Sequence, residues 1–291
     1  MMETYINNIP EYVERVLGLD KELKHDIQYN EVLYFRGQSN KEFKLLPSLA
    51  RNSRRGTFPY ERNLIESAKF KMPTIFNNND TPINLLALLQ HYGIPTRLLD
   101  VTTNPLVALY FACTDFEKDG EVIVFKNNED DLATYPIINA IADTYRFTIG
   151  SCTDLGDFYE YVIEQPYFLE QKRTLQYASK EENGRWIEAC CKEIFFVKAM
   201  ELSQRQKAQQ GSFILFHNKI ERLNEKDMPY FVHSIEPIDK KSESIIERFI
   251  IPEKEKKNIL KQLSFIGISK SSLFPDNLDF ACEEIAKSQS R

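Results

Sequence analysis

Strand-like segments stand at both ends of this sequence with helical periodicity between them, and that order limits what the chain can fold into. Near the front, 31–36 (Glu-Val-Leu-Tyr-Phe-Arg) reads as a strand, 96–101 as a short extended segment, and 121–125 as a strand after an Asp119-Gly120 turn. Near the end, strands are expected around 211–217, 229–235 and 245–251, whereas 130–200 reads mostly helical, about 132–145, 155–164 and 185–200. Strands so separated bury their apolar faces by meeting in one sheet with helices packed against it. The expected fold class is therefore α+β, with a mixed, mainly antiparallel sheet and a helical insertion. The boundaries that follow are an N-terminal helix in 1–25, a first unit over 26–128, the insertion over 129–200, and strands and helices over 201–291 that complete the same unit.

Helix signals support this order. Residues 10–25 carry an apolar stripe of Val13, Val16, Leu17 and Leu23, and 60–72 reads as helix up to Pro73. Pro82 opens a helix running to Tyr92, with Leu85, Leu88 and Leu89 inward and Gly93 as its stop. Asn104 caps a further helix with Pro105 at its first position, and Leu106, Leu109, Tyr110 and Cys113 form its core face. Two more helices are expected over 253–263 and 276–287.

Composition excludes several function classes. At 291 residues, 42% hydrophobic and 27% charged, the chain is neither disordered nor collagen-like. Acids outnumber bases, 43 to 37, which argues against a general nucleic-acid coat or a membrane-surface protein but allows a local basic cleft. The longest apolar run, Pro105 to Cys113, is far short of the ~20 residues that cross a bilayer. Met1 to Tyr5 lack a basic region and an apolar region, so no signal peptide is expected. Five cysteines, two of them adjacent (Cys190 and Cys191) and none in a Cys-x-x-Cys, fit a reduced, cytoplasmic protein. His25, His91, His217 and His233 are scattered, so no bound metal is expected. Neither a Gly-x-Gly-x-x-Gly nor a phosphate-loop motif is present.

Three places carry polar residues that a fold alone does not require. In Phe35-Arg36-Gly37-Gln38, arginine offers a charged fork for phosphate or carboxylate, and glycine lets a ligand or another backbone approach closely. The ordinary structural alternative is a strand-end arginine paired with an acid, beside a turn glycine. The run from Gln90 to Ala112 is the densest: His91 and Tyr92 at a helix end, Thr96 and Arg97 after a Gly-Ile-Pro bend, then Asp100, Thr102 and Thr103 before a helix N-terminus that favours anions. Its alternative is that Thr103 and Asn104 only cap the helix and Asp100 only pairs with Arg97. The third place is Arg205-Gln206-Lys207-Ala208-Gln209-Gln210-Gly211 entering the strand Phe213 to Phe216, or else a solvated loop. Arg51, Arg54 and Arg55 form a weaker cluster that could touch phosphates, but three arginines in a loop read first as solvated surface.

Together these segments resemble the FRG domain family, named for its Phe/Tyr-Arg-Gly tripeptide, here Phe35-Arg36-Gly37. The stronger likeness is Gln90-His91-Tyr92-Gly93-Ile94-Pro95-Thr96-Arg97-Leu98-Leu99-Asp100-Val101-Thr102, followed by Asn104-Pro105 and Ala108 to Ala112. Gln209-Gln210-Gly211-Ser212-Phe213 and the segment from Gly267 to Asp276 are similar to its downstream features. The resemblance covers about 26–128 and implies a bacterial, phage-associated protein. A more distant similarity is to ADP-ribosyltransferases of the Arg–Ser–Glu type. It aligns Arg36-Gly37, Asp100 to Thr103 and the region of Gln209-Gln210 with that superfamily's three strands, but places glutamine where the catalytic glutamate belongs.

What these resemblances imply is a cleft for a nucleotide-type small molecule. Arg36, His91, Asp100 and Gln210 would be its catalytic residues, and Gly37, Gln38, Tyr92, Thr96, Arg97, Thr102, Thr103, Arg205 and Gln209 its ligand contacts. The implied reaction is ADP-ribosyl transfer or NAD cleavage, with NAD as substrate rather than resident cofactor and a nucleic acid or protein as acceptor. Losing a preorganised carboxylate costs ~10²–10³ in rate, so Glu201 or Glu247 would have to replace the missing glutamate. The alternative is a non-catalytic module that senses nucleotide or nucleic acid in phage defence. A metal-dependent nuclease built on Asp100 and His91 ranks last.

Overall fold

Ten strands form two sheets in the computed structural model, which describes residues 3–24, 30–51, 58–76, 80–128, 136–147, 152–168, 179–200 and 203–275. The strands are β1 (Thr4–Tyr5), β2 (Glu31–Gln38), β3 (Leu98–Thr102), β4 (Gly120–Asn128), β5 (Cys152–Asp154), β6 (Phe195–Val197), β7 (Gly211–Leu215), β8 (Ile220–Glu221), β9 (Tyr230–Val232) and β10 (Ile245–Ile251). The main sheet has the order β1-β10-β4-β2-β3-β7-β6. Only β1 and β10 pair parallel, and every other neighbour in it is antiparallel. A second, small antiparallel sheet has the order β5-β9-β8. The fold class is α+β, as expected from strands placed at both ends of the chain.

Alternation along the strands sorts the core into three clusters. On one sheet face Leu33 and Phe35 of β2 join Val122, Val124, Phe249 and Ile251 under the helices Ile9–Asp20, Pro105–Ala112 and Glu253–Phe265. Phe35 pairs with Thr102, so Leu98, Asp100 and Thr102 share that face. There Leu98, with Phe213, Leu215, Phe195 and Val197, packs under the helices Phe58–Lys71, Pro82–His91, Pro136–Ala142 and Leu155–Val162. Tyr34, Leu99, Val101, Ile123, Phe125, Phe196 and Ile214 make the core of the opposite face. Two helix groups thus stand side by side on one face.

The sheet is loosely joined between those groups. β2 pairs with β4 from Glu31↔Asn128 to Gln38↔Glu121, but meets β3 at the single position Phe35↔Thr102. β3 then pairs with β7 along its whole length, from Leu98↔Leu215 to Thr102↔Gly211. The helix Pro105–Ala112 lies directly on the sheet at this point. A Cβ on Gly37 would stand 1.9 Å from the carbonyl oxygen of Ala108, and one on Gly120 2.1 Å from that of Ala112. Only glycine allows the two backbones to come so close. Asn104 caps this helix as expected, its Oδ1 accepting from the Leu106 and Val107 amides at 3.0 and 3.4 Å.

Several segments differ from expectation. The helix Pro105–Ala112 buries Val107 and Ala108 as well as Leu109 and Cys113, so its apolar face is wider than the stripe predicted, while Leu106 and Tyr110 are only partly buried. The helix expected over 185–200 runs instead from Lys180 to Cys190, begun by a capping box of Ser179 and Glu182, and Phe195–Val197 is an edge strand. β-branched and aromatic residues placed beside β7 follow the sheet, because pairing outweighs local helical spacing. The helix expected over 276–287, His25, Arg54 and Arg55 lie outside the described residues.

Arg97 belongs to the core. It is fully buried, with Nε at 2.8 Å from Glu61 Oε1 and Nη2 on Glu61 Oε2. Nη1 reaches the Phe216 carbonyl at 3.2 Å and Asn218 Oδ1 at 3.1 Å. The guanidinium therefore ties the helix Phe58–Lys71 to the end of β7. This corrects the expectation that Arg97 contacts ligand or pairs with Asp100: its donors are taken by Glu61 and the chain after β7.

Two predictions follow from these contacts. Gly37→Ala forces helix and sheet apart and lowers stability by about 1–3 kcal/mol or more. Gly18→Ala, with open space around its Cβ and an exposed helical position, raises it by about 0.5–1 kcal/mol. Urea unfolding of both variants measures the contrast. Glu61→Gln leaves a buried cation without its counter-charge, and the same titration should show a loss of about 3–5 kcal/mol.

Candidate functional site

The single β2–β3 pairing and the two helix groups leave a cavity of about 420 Å³ at the division of the sheet. Its wall takes Phe35, Arg36 and Gly37 from β2, Asp100 to Thr102 from β3, Gln90 and His91 from the end of the helix Pro82–His91, and Val107, Ala108 and Phe111 from the helix Pro105–Ala112. Ser203, Arg205, Gln206, Gln209, Gly211, Ser212 and Phe213 close the remaining side. The three polar segments of the sequence therefore meet around one hollow.

Arg36 is a half-buried cation in this wall. Its Nη1 donates to the backbone carbonyl of Asp100, across the gap between β2 and β3, while its Nε is buried with no hydrogen-bond partner. Burial lowers its pKa to about 10, a fall that nearby Asp100 opposes and nearby Arg51 reinforces. It remains charged at neutral pH. Arg51, whose Nε donates to the Leu46 carbonyl at 2.8 Å, is likewise lowered by burial with Asp100 opposing. Two cations thus lie near one exposed carboxylate.

Asp100 is held by a short chain of hydrogen bonds. Gln90 Nε2 donates to Asp100 Oδ1 at 2.8 Å, and Thr96 Oγ1 donates to Gln90 Oε1. Thr96 is buried and accepts from the Leu98 amide at 3.2 Å, so it stands behind the wall rather than in it. His91 lies in the wall, its ring 5.0 Å from that of Tyr92. Tyr92 itself is exposed outside the cavity and packs edge-on against Phe76.

Other expected contacts are structural. Thr102 Oγ1 donates to the Gln209 carbonyl at 2.6 Å and accepts from the Asn104 amide at 2.9 Å, closing the turn into the helix. The Thr103 amide donates to the Gln210 carbonyl at 3.2 Å, and neither residue is in the wall. Gln210 has φ of 46°, and its position is that of a tight turn feeding β7. It was expected as a catalytic residue, but the left-handed turn leaves it outside the cavity. Gln38 is buried in the β2–β4 pairing, also outside. Gly37 is in the wall, yet its close neighbour is the helix backbone.

Arg205 and Gln209 line the cavity and also hold the C-terminal segment. The Arg205 guanidinium lies 4.7 Å from the Phe274 ring centre, and Gln209 Nε2 donates to the Leu273 carbonyl at 3.0 Å. Asp100 is the one carboxylate among the described lining residues. Of the two acids expected to replace the missing glutamate, Glu247 sits on β10, separated from β2 by β4, and accepts from Thr4 Oγ1 at 3.2 Å. Glu201 lies outside the described residues. Among the described residues no group of three or more His, Cys, Asp or Glu side chains could hold a metal ion, and no helix is long and apolar enough to cross a membrane.

Sequence reasoning passed over Gln90 and Arg51. Gln90 stood inside the quoted run without a role, because a glutamine at a helix end has no chemistry of its own until its partners are known. Arg51 reads in the sequence mainly as solvated surface, with phosphate contact only as its weaker alternative. The signal that places it nearby is a tertiary one, the Leu49 amide bonded to the Thr96 carbonyl at 3.2 Å. No curated protein and no solved structure is found to match the chain. Residues 31–121, which bring Arg36, His91, Asp100 and the helix Pro105–Ala112 to the cavity, match the family model of the FRG domain, and the chain therefore carries an FRG domain.

Proposed function

We propose that the cavity binds a phosphate-bearing ligand of nucleotide type. The observation that carries this reading is Arg36, a half-buried cation in the wall whose buried Nε donor is unfilled. A buried donor without a partner costs about 1–3 kcal/mol, and a phosphate oxygen is the acceptor a guanidinium fork fits best. Arg51 adds a second positive charge and Arg205, in the wall, a third, and Asp100 is the one acid among the described lining residues. Phe35, Ala87, Ile94, Phe111 and Phe213 supply an apolar surface of the kind that covers a ring, with few polar groups to orient it.

The reading is of binding rather than group transfer. Transfer from NAD needs a carboxylate to stabilise the charge that develops on the ribose, and the late-strand position aligned with that role holds Gln209 and Gln210. Calorimetric titration with AMP, ADP, NAD and inorganic phosphate tests the proposal. At least one should bind, more weakly as salt is added. Arg36→Ala, with its fold checked by circular dichroism, should reduce the affinity about 10–100-fold, with Arg36→Lys recovering only part. No binding by the parent protein, or equal binding by Arg36→Ala, would overturn it. Nicotinamide released from labelled NAD would replace binding with transfer.

A further inference from the structure

The Thr96–Gln90–Asp100 chain has a polarity that says what the cavity asks of its ligand. Thr96 Oγ1 accepts from the Leu98 amide and donates its one proton to Gln90 Oε1. That fixes the orientation of the Gln90 amide, and its Nε2 must then donate to Asp100 Oδ1. Asp100 Oδ2 is left with no hydrogen-bond partner among the described residues, on a carboxylate that is exposed in the cavity wall. An amide donating to one oxygen leaves the other oxygen as an acceptor.

We infer that Asp100, set by Thr96 through Gln90, accepts the vicinal hydroxyls of a ribose, so that the cavity selects ribonucleotides. This rests on the phosphate-binding reading above and narrows it. The donor that Oδ2 meets is a neutral one. Arg36 and Arg51 both act on Asp100, and a cationic ligand would face two positive charges for one negative. A hydroxyl carries no such penalty. Asp100 also lies next to the anion subsite, because its own backbone carbonyl accepts from Arg36. A ligand with hydroxyls a few bonds from a phosphate, as in a ribonucleotide, matches that adjacency. Thr96 touches no ligand in this arrangement and acts as a positioning residue.

The test compares ADP, 2′,3′-dideoxy-ADP and inorganic phosphate by calorimetry on the full chain. The parent protein should bind ADP at least about tenfold more tightly than the dideoxy analogue. Asp100→Asn and Thr96→Val should both remove that preference; Thr96→Val should leave phosphate binding intact, Asp100→Asn, which takes away the acid opposing the cations, should not weaken it, and Thr96→Ser, which keeps the hydroxyl, should retain the preference. Gln90→Met serves where Thr96→Val does not fold, and should lose the preference in the same way. Equal affinity of the parent for ADP and its dideoxy analogue, or a preference that survives in folded Thr96→Val or Gln90→Met, would overturn the inference alone. If neither nucleotide nor phosphate binds the parent protein, the phosphate-binding reading falls first and this one with it.

Discussion

The backbone of the helix Pro105–Ala112 rests against Gly37 and Gly120 with no side chain between them, and the rest of the site depends on that contact. At 1.9 and 2.1 Å from Ala108 and Ala112 oxygens, a methyl group has no room at either position. The two glycines stand on neighbouring strands, Gly37 paired with Val122 and Gly120 with Ile251. The helix is thereby pinned over β2 and β4, and its start is fixed again by Tyr12, whose hydroxyl donates to the Pro105 carbonyl at 2.9 Å. Arg36 is the residue before the pinned glycine. Its position is set by the helix that crosses its neighbour, not by a ligand.

The same contact explains why the sheet divides where it does. A helix lying this close over β2 and β4 leaves β3, β7 and β6 to be covered by a different group of helices, and the two groups cannot both reach the line between β2 and β3. With one paired position, Phe35↔Thr102, the backbone of β3 is available to a side chain, and Arg36 takes the Asp100 carbonyl. Sheet division, cavity and half-buried cation are three consequences of one packing decision. The electrostatic cost of that cation falls on Arg36, whose second donor the fold does not fill.

Much of the fold was legible because its signals are local. Asn104-Pro105 marks a cap and a first turn, Gly93 with φ of 79° ends a helix, and the alternation of Glu31 to Arg36 reads as a strand. The order of polar segments around the cavity was legible too, through the likeness of Phe35-Arg36-Gly37 and the Gln90–Ala112 run to a known family. What was not legible is which polar residues face the cavity and which hold its wall. Thr96, Arg97 and Thr102 are as conspicuous in the sequence as His91 and Asp100, yet all three spend their hydrogen bonds on the chain itself. Phe195–Val197 was misread for a similar reason, since its strand exists only because β7 lies beside it.

That division has a physical logic. A cavity opened by splitting a sheet exposes backbone groups that pairing would otherwise satisfy, and side chains must replace the missing partners. Arg36 serves the Asp100 carbonyl, Thr102 the Gln209 carbonyl, and Arg97 the Phe216 carbonyl at the far end of β7. A dense run of polar residues is therefore what such a division requires before any ligand is considered, and density alone does not mark a site. What separates Arg36 and Asp100 from the others is remaining capacity at the wall: a buried Nε with no acceptor on one, and a carboxylate oxygen beyond the reach of Gln90 on the other. Those two groups, of opposite charge and adjacent along one hydrogen bond, keep capacity at the wall that the described residues do not fill.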